Sequence, residues 1–347
     1  MSTPAATLPL VLTMGDPAGI GPELLAQVFR RHPDWSRHCV VAGDLATLRR
    51  AAQVTGGLLP VACLQQPADV AAVPPGCLPV WPVTTLPQPL PWGRLDAQAG
   101  RAAAEAIEAG AQAVLDGQAA GLVTAPIHKE ALALAGIAHP GHTEYLQALA
   151  ARHLGVSVAQ LPVRMMLSSP ELRTVLVSIH MALRQALDAV TREQVLQTLR
   201  ITHAHWARRG RPCRIGVAGL NPHAGEGGLF GREEIDHIAP AIALARQEGI
   251  DASGPHAPDT VFMRARAGEF DVVVAMYHDQ GLIPVKYLGL AHGVNTTLGL
   301  PFVRTSPDHG TAFDLAGTGR ADPSSLEAAI VAAWGDLGLP IPGSGSL

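Results

Sequence analysis

Asp271-Val-Val-Val-Ala-Met-Tyr-His278 is an apolar run of strand length that ends in a histidine. Similar runs recur along the chain, and most of them are separated by stretches with helical periodicity, such as Arg101 to Leu115. They are Leu8 to Thr13, Val40 to Ala42, Gly121 to Thr124, Thr174 to Ser178 and Arg214 to Ala218. Strands that are apolar throughout and alternate with helices indicate an α/β fold with a mostly parallel sheet covered on both faces. Pro60 to Trp92 lacks periodicity and predicts irregular loops with edge strands at most.

The composition excludes several classes of protein. A chain of 347 residues is long enough for two domains. Its formal net charge of -4 gives no basic surface for nucleic acid, and no apolar run approaches the roughly 20 residues of a membrane-spanning helix. Four cysteines form no CxxC pair, and Leu8 to Thr13 is too short for the core of a signal peptide. We therefore expect a cytoplasmic protein that binds neither nucleic acid nor membrane.

Histidines end three of the strand-like runs. The runs are Thr174-Val-Leu-Val-Ser-Ile-His180, Arg214-Ile-Gly-Val-Ala-Gly-Leu-Asn-Pro-His223 and the run that ends at His278. Ligands of parallel α/β sheets bind beyond the carboxyl ends of the strands, so these side chains could converge there. Three imidazoles would hold a metal with open positions, where it acts as a Lewis acid on a substrate hydroxyl. The alternative is that each histidine only caps a loop.

Two further motifs predict an anionic ligand. Asn221 to Gly231 contains four glycines, which allow close approach of the backbone to an anionic ligand or cofactor. Pro140-Gly-His-Thr-Glu-Tyr-Leu146 is typical of a helix start, where unpaired N–H groups and the helix dipole favour phosphate or carboxylate. Simple capping by Thr143 is the alternative.

Polar side chains near the end of the chain extend this hypothesis. Lys286, Asn295 and Arg304 lie in a stretch dominated by apolar residues and glycine. Lys and Arg are natural partners of phosphate and carboxylate groups, although ordinary solvation would also account for Lys286. Ser306 and His309 suggest a hydrolase, but no GxSxG elbow is present and this reading is disfavoured. Gly15 to Glu23 follows a strand and opens a helix, with a spacing that departs from GxGxxG.

Together the motifs resemble those of the 4-hydroxythreonine-4-phosphate dehydrogenase family of pyridoxal phosphate biosynthesis. They are GDPAGIGPE at 15–23, TAPIHKE at 124–130, PGHTEYL at 140–146, RMML at 164–167, GLNPHAGEGG at 219–228, AMYHDQG at 275–281 and VNTTLGLPFVRTSPDHGTAFDLAG at 294–317. The resemblance spans almost the whole chain, and so many motifs in the same order make it specific.

The resemblance implies a fold similar to that of isocitrate and isopropylmalate dehydrogenases, with two α/β domains, a cleft between them and a homodimer. We expect the first domain at 1–128 and 290–347, and the second, which carries the metal ligands and dimer contacts, at 129–289. The family's metal ligands match His180, His223 and His278. Two of them are expected from one subunit and the third from its partner.

The remaining site residues also follow from the resemblance. The family's substrate contacts match His142, Thr143, Lys286, Asn295 and Arg304. The adenosine-binding loop of the wider group of decarboxylating dehydrogenases is similar to His309, Gly310, Thr311, Ala312 and Asp314. Lys129 and Asp259 are the hypotheses for proton handling, because each lies in a family-like motif and has no apolar role.

The implied reaction is an NAD-dependent oxidation of 4-phosphohydroxy-L-threonine that also requires a divalent metal. The β-keto acid product then loses carbon dioxide. Zinc, magnesium, cobalt and manganese all suit three histidines, and NADP is open as the cofactor. Ser178-Ile-His-Met-Ala-Leu183 departs from the family's usual Thr-Thr-His followed by Pro-Leu, which leaves 4-phospho-D-erythronate and 4-phospho-D-threonate as alternative substrates. A non-catalytic sensor of a phosphorylated metabolite is the alternative of another class.

Overall fold

The chain divides into two compact units. The computed structural model describes residues 8–289 and 291–343. The first unit is formed by the residues up to Pro162 and from Leu300 onward, and the second is Val163–Gly299. These boundaries differ from the expected ones at 128/129 and 289/290, and place residues 129–162 in the first unit.

The first unit is a parallel sheet with helices packed on it. Its strands are β1 (Leu10–Thr13), β2 (Cys39–Asp44), β3 (Val61–Cys63), β4 (Leu78–Thr84), β5 (Gly121–Thr124) and β12 (Val303–Pro307). Its helices are α1 (Gly21–Arg31), α2 (Leu45–Val54), α3 (Ala97–Leu115), α4 (Lys129–Leu134), α5 (His142–Leu154) and α11 (Ser324–Leu337). The strands lie in the order β3-β4-β2-β1-β5-β12, and every neighbouring pair is parallel. β1 is buried along its whole length, as expected for a strand covered on both faces.

A glycine in α3 explains why α4 belongs to the first unit. A Cβ atom at Gly100 would lie 2.0 Å from the carbonyl oxygen of Ala131 on α4, so only glycine allows the two helices to approach this closely. Most of the alanine side chains of α3 are buried, and α5 packs on the same helix. The helices that follow β5 are therefore anchored to the first unit, and this contact places its boundary after them.

The second unit contains parallel and antiparallel strands. Its strands are β6 (Arg164–Ser168), β7 (Arg173–Leu176), β8 (Ile215–Ala218), β9 (Ala252–His256), β10 (Val272–Ala275) and β11 (Val294–Leu298). Its helices are α6 (Leu183–Asp188), α7 (Arg192–Ala207), α8 (Ala239–Gln247), α9 (Val261–Arg266) and α10 (His278–Tyr287). β7, β10, β8 and β9 are parallel neighbours in that order, whereas β6 pairs antiparallel with both β11 and β7. The carboxyl ends of β7, β10 and β8 consequently meet at one edge.

Apolar packing fixes that edge. Val217 and Val274 on adjacent strands are fully buried in a core that also contains Leu199 of α7 and Ile238. Truncating such a side chain to alanine typically costs about 2–5 kcal/mol of stability. The strand ends that carry the candidate functional side chains are therefore held in place by a well-packed apolar core.

The α/β fold with a mostly parallel sheet confirms the expectation from the sequence. The prediction for Pro60 to Trp92, irregular loops with edge strands at most, was wrong for β4, because this strand pairs with a neighbour on each side. Within residues 8–289 and 291–343, no helix has both the length and the apolar character needed to cross a membrane.

Candidate active site

Two of the strand-end histidines lie together in the second unit. His180 follows β7 and His278 begins α10 directly after β10, and their ring centroids are 5.6 Å apart. The segments are joined by a hydrogen bond of 2.9 Å from the hydroxyl of Ser178 to the carbonyl oxygen of Met276. The rings line a cavity of about 490 Å³ together with Met181, Leu183, Tyr277 and Asp279.

Neighbouring side chains orient His278. Its Nδ1 atom lies 2.7 Å from Oδ1 of Asp279, a contact that favours a proton on Nδ1 and leaves Nε2 as the lone-pair donor. Gln280 accepts a hydrogen bond from the backbone N–H of Met276 and donates one to the carbonyl oxygen of Gly219, both at 2.7 Å. Gln280 thus connects the start of α10 to the loop that follows β8.

His223 lies in that loop and lines a different cavity, of about 700 Å³. Its Nδ1 atom is 3.2 Å from Oε2 of Glu226, and its side chain is 63% exposed. Asp259 and Asp279 line the same cavity. In the described part of this single chain, no three side chains of His, Cys, Asp or Glu converge as a metal site. The structure therefore brings together two of the three expected histidines and places the third, His223, in a different cavity.

A buried arginine and a neighbouring histidine lie together in the first unit. Arg304 on β12 is buried, and its Nη2 atom donates a 2.6 Å hydrogen bond to Oγ1 of Thr124. Burial lowers the pKa of Arg304 to about 9, although the charge of Glu144 offsets part of this effect, and the guanidinium stays charged at neutral pH. His142 is the first residue of α5, and burial, followed by the charges of Arg304 and Lys129, holds its pKa well below the usual range.

An anion would satisfy these side chains. The Nε2 atom of His142 is buried, and no other described group forms a hydrogen bond with it. Thr143 is the next residue of α5, at a helix end where N–H groups lack partners and the dipole favours negative charge. Of the two residues expected to handle protons, Lys129 is exposed and lies beside these groups in the first unit, whereas Asp259 lies in the second unit.

The two other expected substrate contacts belong to the second unit. Lys286 is exposed in the last turn of α10. Asn295 lies on β11, and its Oδ1 atom is buried with no hydrogen-bond donor among the described residues. A ligand that donates a hydrogen bond would satisfy this oxygen.

The expected cofactor loop follows β12 in the first unit. The backbone N–H of Ile20 donates a 3.0 Å hydrogen bond to the carbonyl oxygen of Thr311. A Cβ atom at Gly19 would lie 3.0 Å from Cβ of Thr311, so this glycine permits close packing of the loop. The carboxylate of Glu23 accepts hydrogen bonds from the N–H groups of Gly317 and Gly319 farther along. His309, Gly310, Ala312 and Asp314 lie in the same loop, and His309, Gly310 and Asp314 are exposed.

Sequence reasoning missed the residues that support these groups. His128 stacks on Phe313 of the cofactor loop, with ring centroids 4.9 Å apart and an interplanar angle of 15°. Glu23 and Asp279 also lay within quoted motifs without receiving a role. Their position inside these motifs was the only indication in the sequence that they have a role. The contacts themselves join segments that are distant in sequence, so they are visible only in the folded chain.

Asp16 carries a buried negative charge beside this loop. Its carboxylate accepts a 2.8 Å hydrogen bond from the backbone N–H of Ala18. Burial raises the pKa of Asp16 from 3.8 to about 6, and the hydrogen bond from Ala18, followed by the charge of His128, offsets this only in part. The wild-type protein must therefore keep a carboxylate charged in a buried position at neutral pH.

Asp16→Asn is expected to stabilise the protein above pH 6. Because the folded-state pKa is raised, the stability that Asp16 contributes is fully present below pH 3.8 and is lost as the pH rises through about 6. At pH 7.5 the variant should gain up to about 3 kcal/mol in its free energy of unfolding, and well under half of that at pH 4. Urea unfolding of both proteins at the two pH values measures the difference. A gain that does not change with pH would contradict the assignment.

Comparison with known proteins agrees with the motifs. Residues 34–333 match the family described as pyridoxal phosphate biosynthetic protein PdxA. The chain is 52% identical over 324 residues to a 4-hydroxythreonine-4-phosphate dehydrogenase of Beijerinckia indica, covering 92% of this chain and 93% of the relative. It is 42% identical over 329 residues to a D-threonate 4-phosphate dehydrogenase of Salmonella typhimurium, covering 93% and 97%.

A solved structure extends the likeness to three dimensions. The crystal structure of 4-hydroxythreonine-4-phosphate dehydrogenase from Klebsiella pneumoniae superimposes with a TM-score of 0.84 at 42% sequence identity, covering 96% of this chain and 99% of that one. The motifs, the fold and the extent of these matches agree, and the chain belongs to the pyridoxal phosphate biosynthetic protein PdxA family.

Proposed function

We propose that the chain is an NAD-dependent dehydrogenase that oxidises 4-phosphohydroxy-L-threonine to 2-amino-3-oxo-4-phosphooxybutanoate. This product would decarboxylate to 3-amino-2-oxopropyl phosphate, a step in pyridoxine 5'-phosphate biosynthesis. One observation carries the proposal: a chain of this family has both a pair of histidines at adjacent strand ends and a buried arginine, Arg304, close to the start of helix α5. The first suits a metal that binds a hydroxyl, and the second suits a phosphate.

The chain's own residues have distinct tasks in this reaction. His180, His278 and the partner subunit's His223 would hold a divalent metal, and Arg304, His142 and Thr143 would bind the phosphate of the substrate. Lys286 and Asn295 would contact the remaining polar groups. A bound metal would supply Lewis-acid polarisation of the substrate hydroxyl, and NAD bound at the loop 309–314 would accept the hydride.

Asp259 is the better placed of the two candidates for proton transfer from the hydroxyl. It lines the same cavity as His223 of its own chain, so it would enter the shared metal site together with that histidine. Lys129 instead lies close enough to His142 to lower that residue's pKa, which suits a role in attracting the phosphate. We therefore assign the base to Asp259 and charge complementarity to Lys129.

The homodimer is the second part of the proposal. Several apolar side chains are exposed close to the metal-binding segments. They are Met181, Leu183, Leu229, Phe230, Ile235 and Ile283. Burial of such a group against a second copy would remove it from water and would bring one chain's His223 to the other chain's His180 and His278. We place this dimer in the cytoplasm, in keeping with four cysteines that are all free thiols.

4-Phospho-D-threonate is the second candidate substrate, favoured by the Salmonella typhimurium relative that bears this activity in its name. Met181 and Leu183, which line the cavity of His180 and His278, also lie where the motif departs from the family pattern. The substrate amino group distinguishes the candidates, since only 4-phosphohydroxy-L-threonine has one.

NAD reduction by the metal-loaded protein tests the proposal. The assay compares 4-phosphohydroxy-L-threonine with 4-phospho-D-threonate and 4-phospho-D-erythronate, and we expect the highest kcat/KM with 4-phosphohydroxy-L-threonine. A further assay replaces NAD with NADP. A higher kcat/KM with either sugar acid would assign the chain to that substrate with the same metal and fold. No reduction with any of the three would leave the sensor as the function.

A further inference from the structure

The loop that carries His223 has an unfavourable backbone conformation. His223, Ala224 and Glu226 have φ values of 53°, 54° and 44°, and Gly225 and Gly227 between and after them are also left-handed. Residues with a Cβ atom seldom adopt this region, because the side chain crowds the backbone carbonyl. Several in one short loop require interactions from outside the loop to hold them.

Glu234 anchors the residues that lead into this left-handed stretch. Its side chain is only 3% exposed. Oε1 accepts hydrogen bonds of 2.7 Å from the backbone N–H groups of both Leu220 and Asn221, and Oε2 accepts one of 3.0 Å from the side-chain amide of Asn221. A buried carboxylate with three donors is a strong anchor, because charge-assisted hydrogen bonds exceed neutral ones in strength.

The glycines of the loop make room for this carboxylate. A Cβ atom at Gly219 would lie 3.1 Å from Oε1 of Glu234, and one at Gly225 would lie 2.7 Å from Oε2. The sequence predicted that the glycine-rich loop approaches an anionic ligand or cofactor. In the structure, the anion that the loop surrounds is the chain's own Glu234.

We propose that Glu234 is a positioning residue, which holds the left-handed loop so that Glu226 reaches Nδ1 of His223. The 3.2 Å contact between Glu226 and Nδ1 favours the proton on that nitrogen, and Nε2 is then presented as a ligand. Presentation of His223 to a metal rests on the proposed function. The order of the loop and the tautomer of His223 are properties of the metal-free chain, so they can be measured whether or not the proposed function is correct.

Glu234→Gln tests the anchor in the metal-free protein. Glutamine keeps the size of the side chain, but its amide nitrogen is a donor and faces donors, so the loop should loosen. We expect faster amide hydrogen exchange in residues 219–228 and a smaller fraction of the Nδ1-protonated tautomer of His223 in nitrogen-15 NMR. Glu193→Gln, which removes an exposed carboxylate of the same unit, is the matched control and should change neither.

Co²⁺ binding to the full-length protein, followed by its absorption spectrum, tests the consequence. We expect the affinity of Glu234→Gln to fall about 10- to 100-fold, in the range usual for residues that orient metal ligands. A looser loop with unchanged Co²⁺ affinity would overturn the positioning role, and so would an unchanged loop. If the wild type binds no Co²⁺, the proposed metal site fails, while exchange and tautomer still decide whether Glu234 organises the loop and His223.

Gly225→Ala provides a second variant in case Glu234→Gln does not fold. The added Cβ atom meets Oε2 of Glu234 in a left-handed position, so it disturbs the same anchor while the carboxylate remains. Faster exchange in 219–228 and a lower fraction of the Nδ1-protonated tautomer are again expected. Unchanged values in this variant would overturn the proposal.

Discussion

A mixture of His223→Ala and His278→Ala proteins is expected to regain about one quarter of the wild-type activity, although each variant alone is nearly inactive. Loss of one metal ligand should lower kcat/KM about 10³-fold, since it removes several kcal/mol of transition-state stabilisation. His180 and His278 lie 5.6 Å apart between ring centroids, but the described part of the chain holds no group of three such ligands. A histidine from the partner subunit would complete the set.

The expected fraction follows from the symmetry of a dimer. Random exchange of subunits gives about half heterodimers, and in each of these one of the two sites has all three histidines while the other lacks two. The measurement is NAD reduction after the variants have been mixed under conditions that allow subunit exchange. A mixture of His278→Ala with His180→Ala is the control, because both defects then affect the same half-site and no intact site can form. No recovery in either mixture would show that each site is built from one chain.

The sequence predicted the elements that depend on local pattern. Apolar runs such as Val272–Ala275 became buried parallel strands, because covering both faces of a strand requires apolar residues throughout. The pairing of His180 with His278 also followed, since parallel neighbouring strands bring their carboxyl ends to one edge. Pattern and topology are sufficient for such predictions.

Other features depend on contacts that no local pattern encodes. β4 contains Pro79 and Pro82 and has little periodicity, yet it pairs on both sides. The boundary after residue 162 depends on the close approach of α3 and α4 at Gly100. The partner of the glycine-rich loop was Glu234, which lies several residues beyond it in sequence. In each case the structure depends on a contacting residue that is distant in sequence, or that the sequence alone does not distinguish from other residues of the same type.

Arg304→Met is expected to lower kcat/KM for the phosphorylated substrate about 10³-fold. Arg304 is buried, Thr124 orients its guanidinium, and its charge lies close enough to His142 to lower the pKa of that imidazole. Removing one member of a buried charge pair costs about 3–5 kcal/mol, because the ligand's phosphate would be left without its partner. Arg304→Lys should recover part of the activity, since it restores the charge but not the planar fork that binds two oxygens.

Unphosphorylated 4-hydroxy-L-threonine separates phosphate binding from a structural role of Arg304. The wild type should use this analogue poorly, and Arg304→Met should lower its kcat/KM much less than that of the phosphorylated substrate, because the lost interaction is already absent. Arg101→Met, at an exposed arginine of the first unit, is the matched control and should leave both values unchanged. An equal loss with the two substrates would mean that Arg304 supports β12 and Thr124 and does not bind phosphate, and the anion site would then rest on His142, Thr143 and Lys129.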